Sequence, residues 1–452
     1  MAAMAKQDDS TITGHHIVIV GGGAGGLELA TRLGKTLGKK GKARVTLIDA
    51  NTTHLWKPLL HEVAAGSLNA FEDELSYLAQ AKWNHFCFIL GTMSDLDREQ
   101  RMVTLAPVCN EKGEEIVPVR TVGYTVLVIA VGSQANDFDT QGARDHCLFI
   151  DNRHQAERIH NALLNHYMKA QADFLSAETS QTPLTLKISI IGAGATGVEL
   201  AAELHHAAIE LERYGLTAIP HKQLEITVIE GSDQVLPALP DRIGNSAKQQ
   251  LEKMGIRVLM GQRVSRITGQ GLILLSGEMI PSDLKIWAAG VKAPAFLSNL
   301  DELVVNGINQ LVVRPTLQTE SDDAIYAMGD CACCKIINNH NKETVIPPRA
   351  QAAHQQASLL AKSLTGVLEG NSPLPFIYRD YGSLVSLSRF GAVGNLMGSS
   401  SRDLLIEGRL AKLFYISLYR MHQFALFGKV KTVLLIIRDF LGKTVRPQLK
   451  LH

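Results

Sequence analysis

An α/β fold made of two βαβ units, one inserted into the other and followed by an amphipathic helical tail, is predicted by three observations. Residues 16–20 (HIVIV) lead into glycines, then into Leu27, Ala30, Leu33 and Leu37 at helical spacing, then into a second strand at 45–48. The same order recurs at 186–191 (LKISII), with Val198, Leu200, Leu204 and Ile209 on the helix and a strand at 224–229. From about Arg402 the chain turns basic, aromatic and amphipathic. Two like units about 170 residues apart favour two Rossmann-type dinucleotide-binding domains over one large sheet. The expected boundaries are 14–150 and 305–390 for the first domain, 151–304 for the inserted one, and 391–452 for the tail.

Between the units a strand is expected at 125–130, a polar His-rich helix from near Asn152, and a linker over 170–183. Short strands before glycine follow at 285–289 and 324–328. At 452 residues, 46% of them hydrophobic, the chain is long enough to fill more than one core. Its net charge of +1 gives no basic surface for nucleic acid. Six cysteines without a repeated CxxC pair make no disulfide framework, and a reducing compartment fits. Neither a signal peptide nor an apolar run of membrane-spanning length is expected.

The first glycine cluster reads Gly21-Gly22-Gly23-Ala24-Gly25-Gly26, a G-x-G-x-x-G directly after a strand and before a helix. Gly21 permits the tight turn, Gly23 lets backbone approach a pyrophosphate, and Gly26 lets helix and strand pack. Asp49 ends the second strand 23 residues beyond Gly26, close to the spacing expected of an acid that binds ribose. The second cluster places Gly192, Gly194 and Gly197 in the same pattern, with Glu230 at its strand end 33 residues beyond Gly197. A long helix and the loop at 214–223 account for the interval. An acid there accepts from the 2′-hydroxyl of NADH and repels a 2′-phosphate, and residues 231–233 (GSD) offer no Arg, so NADH is expected over NADPH. Glu199, early in the second helix, is either a carboxylate stabilised by the helix dipole or a group facing the redox centre.

Three further segments carry a family resemblance. Residues 324–330 (AIYAMGD) resemble the late flavoprotein motif whose Asp contacts FAD, and 128–133 (VIAVGS) resemble the middle motif that closes over the dinucleotide. Residues 54–62 (HLWKPLLHE), 350–355 (AQAAHQ), 286–290 (IWAAG) and 415–423 (YISLYRMHQ) resemble type II NADH dehydrogenase, the single-subunit respiratory NADH:quinone oxidoreductase, in its enterobacterial form. The resemblance implies that Gly21, Gly22, Gly23, Ala24, Gly25, Gly26, Asp49, Lys57, Gly132, Asp330 and Gln351 hold FAD non-covalently. It implies that Gly192, Gly194, Gly197, Glu199, Glu230 and Gly290 serve NADH, and that Gln351 and Gln355 line a quinone site, with Glu199, Gln351 and Gln355 catalytic. Where some members carry Lys before the late Gly-x-Leu, this chain has Tyr381, so no cation is assumed there.

The reaction so implied is hydride transfer from NADH to FAD, then two-electron transfer to ubiquinone or menaquinone without proton pumping. Gln351 and Gln355, at i and i+4, share a helix face and can donate amide hydrogens to quinone carbonyls. No cysteine occurs between Ala50 and Ser67, which argues against a disulfide reductase, and Cys331, Cys333 and Cys334 fit no zinc pattern and read as small buried thiols, so no metal is expected. Residues 402–452 carry ten bases against three acids, a net +7 that leaves the rest near −6, with Phe, Leu and Ile interleaved. That describes a peripheral anchor on an anionic lipid surface, at the cytoplasmic face of a bacterial inner membrane. A helix docked on the protein's own core or a homodimer contact are the other uses of such a tail. Alternative functions are a soluble reductase for an iron–sulfur partner and a flavin-bound redox sensor.

Overall fold

The computed structural model describes residues 14–69, 73–110, 112–176, 183–337, 343–397, 403–442 and 449. Contacts divide the chain into two units, one of residues 1–54, 75–133 and 292–378, the other of 55–74, 134–291 and 379–452.

In the first unit a five-stranded parallel sheet runs in the order Ile325–Ala327, Val126–Ile129, His15–Val20, Ala43–Asp49 and Cys87–Leu90. Its central strand is an unbroken β-branched run because both faces are covered: Ile17, Val18 and Ile19 are wholly buried. Helix Ala24–Leu33 starts directly after the glycine cluster and buries Leu27, Leu29, Ala30 and Leu33. Truncating one of those leucines to Ala costs about 2–5 kcal/mol. Helix Ala350–Val367 packs along it.

The second unit holds another five-stranded parallel sheet, ordered Leu148–Phe149, Leu284–Trp287, Leu186–Ile191, Leu224–Ile229 and Arg257–Leu259. Strand for strand it repeats the first sheet, with one change of chain order. The edge strand Ile325–Ala327 is the last strand of the first sheet in the chain, whereas Leu148–Phe149 precedes all others of the second. Residues 134–150, expected in the first domain, therefore lie with the second, because Leu148 and Phe149 register with Ile286 and Trp287. Residues 55–74 lie there too: helix Leu60–Ala65 buries Leu60, Val63, Ala64 and Ala65 in one core with Ile159, Leu163, Leu200 and Leu204. The return to the first unit falls at Lys292 rather than 305, since Ala293 N donates to Ile308 O and Val312 N to Val304 O.

Two local expectations change. Helix Arg153–Ser176 runs through half of the expected linker, because Tyr167 and Ala170 are buried and Phe174 packs on the same core; residues 177–182 lie outside the described residues. The tail begins as strand rather than helix: Ala392–Met397 pairs with Gly382–Ser386 and with Asp403–Glu407, with Val385 opposite Val393. Helices Gly408–Phe427 and Lys429–Gly442 follow. Of the bases counted in the tail, Arg402, Lys443, Arg446 and Lys450 lie outside the described residues.

Candidate functional site

In the first unit every motif follows the carboxyl end of a parallel strand, where ligands of open α/β sheets bind: Gly21 after Val20, Asp49 ending its strand, Gly132 beyond Ile129, Asp330 beyond Ala327. Gly21 has φ of +103°, and a Cβ there would stand 2.3 Å from Ala130 O; one on Gly26 would stand 1.8 Å from Gly21 O. These two glycines are demanded by the fold itself. Gly23 is different: a Cβ on it would meet no protein atom within 4 Å. It caps helix Ala24–Leu33 without a side-chain hydrogen bond, so the first-turn N–H groups remain for another partner.

Asp49 shapes the loop as well as ending the strand. Gly22 N donates to its Oδ2 at 2.6 Å and Asn51 N to its Oδ1 at 2.8 Å. The Tyr77 hydroxyl donates to Gly22 O at 2.8 Å from beneath, and burial holds that phenol well above its usual pKa. The late motif is tied to the middle one by Ser133 Oγ, which donates to Asp330 Oδ2 at 2.7 Å. Gln356, which sequence reasoning passed over, accepts from Gly329 N at 2.7 Å and is buried. Gln351 and Gln355 stand one turn apart on helix Ala350–Val367, whose Ala353 lies against both Gly25 and Gly329. The start of that helix is thus brought to the glycine loop.

The second unit repeats the arrangement. Gly192 has φ of +105°, and its Cβ would stand 2.7 Å from Ala289 Cα; that of Gly197 would stand 1.9 Å from Gly192 O, and that of Gly194 would meet nothing within 4 Å. Glu230 Oε2 accepts from Ala193 N at 2.7 Å, and its Oε1 from Ser232 N and Oγ, both at 2.9 Å. Gly290 adopts φ of +63° with the Phe138 ring against it. Asp151, beyond the edge strand Leu148–Phe149, holds the place that Asp330 holds in the first sheet. Ala135 N donates to it at 2.6 Å, and burial raises its carboxyl against the opposing charge of Lys57. Lys57 belongs to this second unit, while the other residues expected around the first loop belong to the first.

Each glycine-loop helix also carries a buried Glu two residues after its last glycine, Glu28 and Glu199. Burial would raise the Glu28 carboxyl, but His354 Nδ1 at 2.5 Å and Arg32 at 2.7 Å prevail and hold it below the usual range. Glu199 has no such cation. Ser386 N donates to its Oε1 at 2.9 Å and His61 Nδ1 lies 3.4 Å from its Oε2, while burial, with the charges of Glu62 and Glu203, pushes its carboxyl well above normal. The same carboxylates and burial raise the Tyr415 phenol. Burial lowers His61 to about 4, so its imidazole is neutral. Glu203 was not singled out from the sequence, although its i+4 spacing from Glu199 places both on one helix face. Cys331, Cys333 and Cys334 are buried, and burial pushes Cys331 to about 11 and Cys334 to about 12, so those two pack as thiols.

Two sheets, each with a glycine loop and a strand-end acid, define a flavoprotein class that binds two dinucleotides, and the model of the pyridine nucleotide-disulphide oxidoreductase family matches residues 15–357. A type II NADH:quinone oxidoreductase of Haemophilus influenzae is 44% identical over 446 residues, spanning 97% of this chain and 100% of that protein. The protein of the same description from Staphylococcus aureus (strain bovine RF122 / ET3-1) is 28% identical over 84% of the chain and 90% of its own length. The chain belongs to the type II NADH:quinone oxidoreductases. Among solved structures, NDH2 from Plasmodium falciparum in complex with NADH has the same fold, with a TM-score of 0.79 at 19% identity over 96% of this chain and all of that one. The sulfide:quinone oxidoreductase of Aquifex aeolicus shares it at 0.69 and 18% identity, over 92% of each chain.

Proposed function

We propose that the chain oxidises NADH by way of bound FAD and passes two electrons to a membrane quinone without pumping protons, with the first unit holding FAD and the second NADH. One observation carries the two-site reading: Gly23 and Gly194 are bare although no protein atom would meet a side chain there, which leaves room for a ligand's phosphates at each helix start. Bound FAD supplies hydride acceptance and electron relay that side chains cannot. Gly21, Gly22, Gly23, Ala24, Gly25, Gly26, Asp49, Gly132 and Asp330 are assigned to it. Gly192, Gly194, Gly197, Glu230 and Gly290 are assigned to NADH, with Glu230 selecting against a 2′-phosphate. Gln351 and Gln355 orient the quinone carbonyls. Glu199, whose burial favours the protonated carboxyl, is assigned to hold a proton at its own oxygens for the reaction. In stopped flow, Gln351→Ala is expected to slow reoxidation by quinone about tenfold or more while leaving reduction by NADH unchanged; equal loss in both half-reactions rejects the quinone assignment.

Membrane attachment is assigned to the two tail helices, which are inverted relative to a core-docked pair. Tyr415, His422, Gln423 and Thr432 are buried, while Leu413, Met421, Val430, Leu434, Ile437 and Leu441 are each at least half exposed. Such a face suits the headgroup region of an anionic leaflet, here that of the cytoplasmic side of an inner membrane. Its charge is smaller than the composition suggests, since Arg420 and Arg438 both pair with Asp439, at 2.8 and 2.7 Å. Among the described residues no helix is long and apolar enough to cross a membrane. The exposed face disfavours a soluble reductase for an iron–sulfur partner. Leu434→Glu with Ile437→Glu should abolish flotation with anionic liposomes; a variant that stays bound to lipid rejects this face, and one that changes mass instead marks a homodimer contact.

A further inference from the structure

We propose that His61, Glu62 and Glu203 form a site for a divalent cation of the zinc class, joining helix Leu60–Ala65 to helix Ala195–Arg213. One ligand atom from each lies within 4.8 Å of the others. His61 is 2% exposed, and its Nε2 makes no hydrogen bond while facing Glu62 Oε1 at 4.0 Å. Its other nitrogen is engaged on the far side, where Nδ1 bonds to the Pro58 carbonyl and lies 3.4 Å from Glu199 Oε2. A neutral ring that donates through Nδ1 presents a lone pair at Nε2.

The unpartnered, buried Nε2 of His61 thus converges with two carboxylates, a donor set of one nitrogen and two oxygens that a cation can join. The outer partners are those of a metal centre. The backbone carbonyl fixes the histidine tautomer, and Ser67 Oγ donates to Glu203 Oε2 at 3.1 Å, a hydrogen bond of the kind that orients a metal-ligating carboxylate. One nitrogen and two carboxylate oxygens suit zinc better than magnesium or calcium, which favour oxygen alone. Bonds of about 2.0 Å require a small inward swing of the two glutamates. Glu62 is 25% exposed, so a cation has an entry route and keeps a water on its open side.

The test uses the full-length, FAD-loaded protein, treated with chelator and titrated with Zn²⁺ alone near pH 7.5. Wild type is expected to bind one equivalent, to melt at higher temperature with zinc, and to give an X-ray absorption spectrum of one imidazole with oxygen ligands. Glu203→Gln and the partly exposed Glu62→Gln should each weaken binding at least tenfold with flavin content unchanged, which shows that the variants fold. Absence of stoichiometric uptake by wild type, equal affinity in wild type and both variants, or a sulfur-ligand spectrum would overturn the site. In the first case a shared proton is what holds the three acceptors together.

Discussion

Asp49 and Glu230, beyond the ligand roles proposed for them, each brace their own glycine loop through a backbone N–H, Gly22 or Ala193. Charge-assisted bonds of this kind contribute about 1.5–3 kcal/mol each. Asp49→Ala should therefore lower FAD retention by roughly tenfold or more, read as flavin per chain after gel filtration. Glu230→Ala should leave flavin in place and raise the KM for NADH. It should gain little for NADPH, because the loop loses its brace along with the repelling charge. The buried histidines set the acid limit. Burial lowers His16, His54 and His61 from 6.5 to about 4, so their contribution to stability is present above pH 6.5 and lost as pH falls toward 4. Denaturant midpoints measured between pH 7 and 4.5 should fall steadily, and His16→Asn should flatten that slope; a midpoint independent of pH contradicts the neutral assignment.

At the scale of elements, strand, glycine turn and helix were legible because each residue there answers to one local rule. Gly21 must take a positive φ, Gly26 must let Gly21 O approach, and an unbroken β-branched run must be covered on both faces. Gly26→Ala should displace the helix start and lose FAD; Gly197→Ala should spare FAD and lose NADH binding, both seen by flavin content and a binding titration. What the sequence could not show is pairing at long range. That Leu148–Phe149 belongs beside Leu284–Trp287 is written in no local pattern, nor is the partner of Glu199 at Ser386 N, 187 residues away. The strand Ala392–Met397 falls within the expected amphipathic tail because its pairing with Gly382–Ser386, Val385 opposite Val393, is likewise written in no local pattern.

For the whole molecule, the tail is both a structural part of the second unit and its exposed apolar face. Deletion after Ser400 would remove the strand Asp403–Glu407 and the buried Tyr415 and Leu426 along with that face. Such a truncation is expected to lower the melting temperature as well as membrane binding, whereas Leu434→Glu with Ile437→Glu should change binding alone, with the melting temperature as the control. The order of strands also sets a timetable. All five strands of the second parallel sheet lie between Leu148 and Trp287, so that sheet can close once residue 287 has left the ribosome. The first sheet lacks its edge until Ile325–Ala327 emerges, a lag of roughly 2–8 s at about 5–20 residues per second. During synthesis the inserted half is thus complete while the half that surrounds it in sequence is still open, and the outer sheet gains Asp330, just beyond its edge strand, only at the end of that wait.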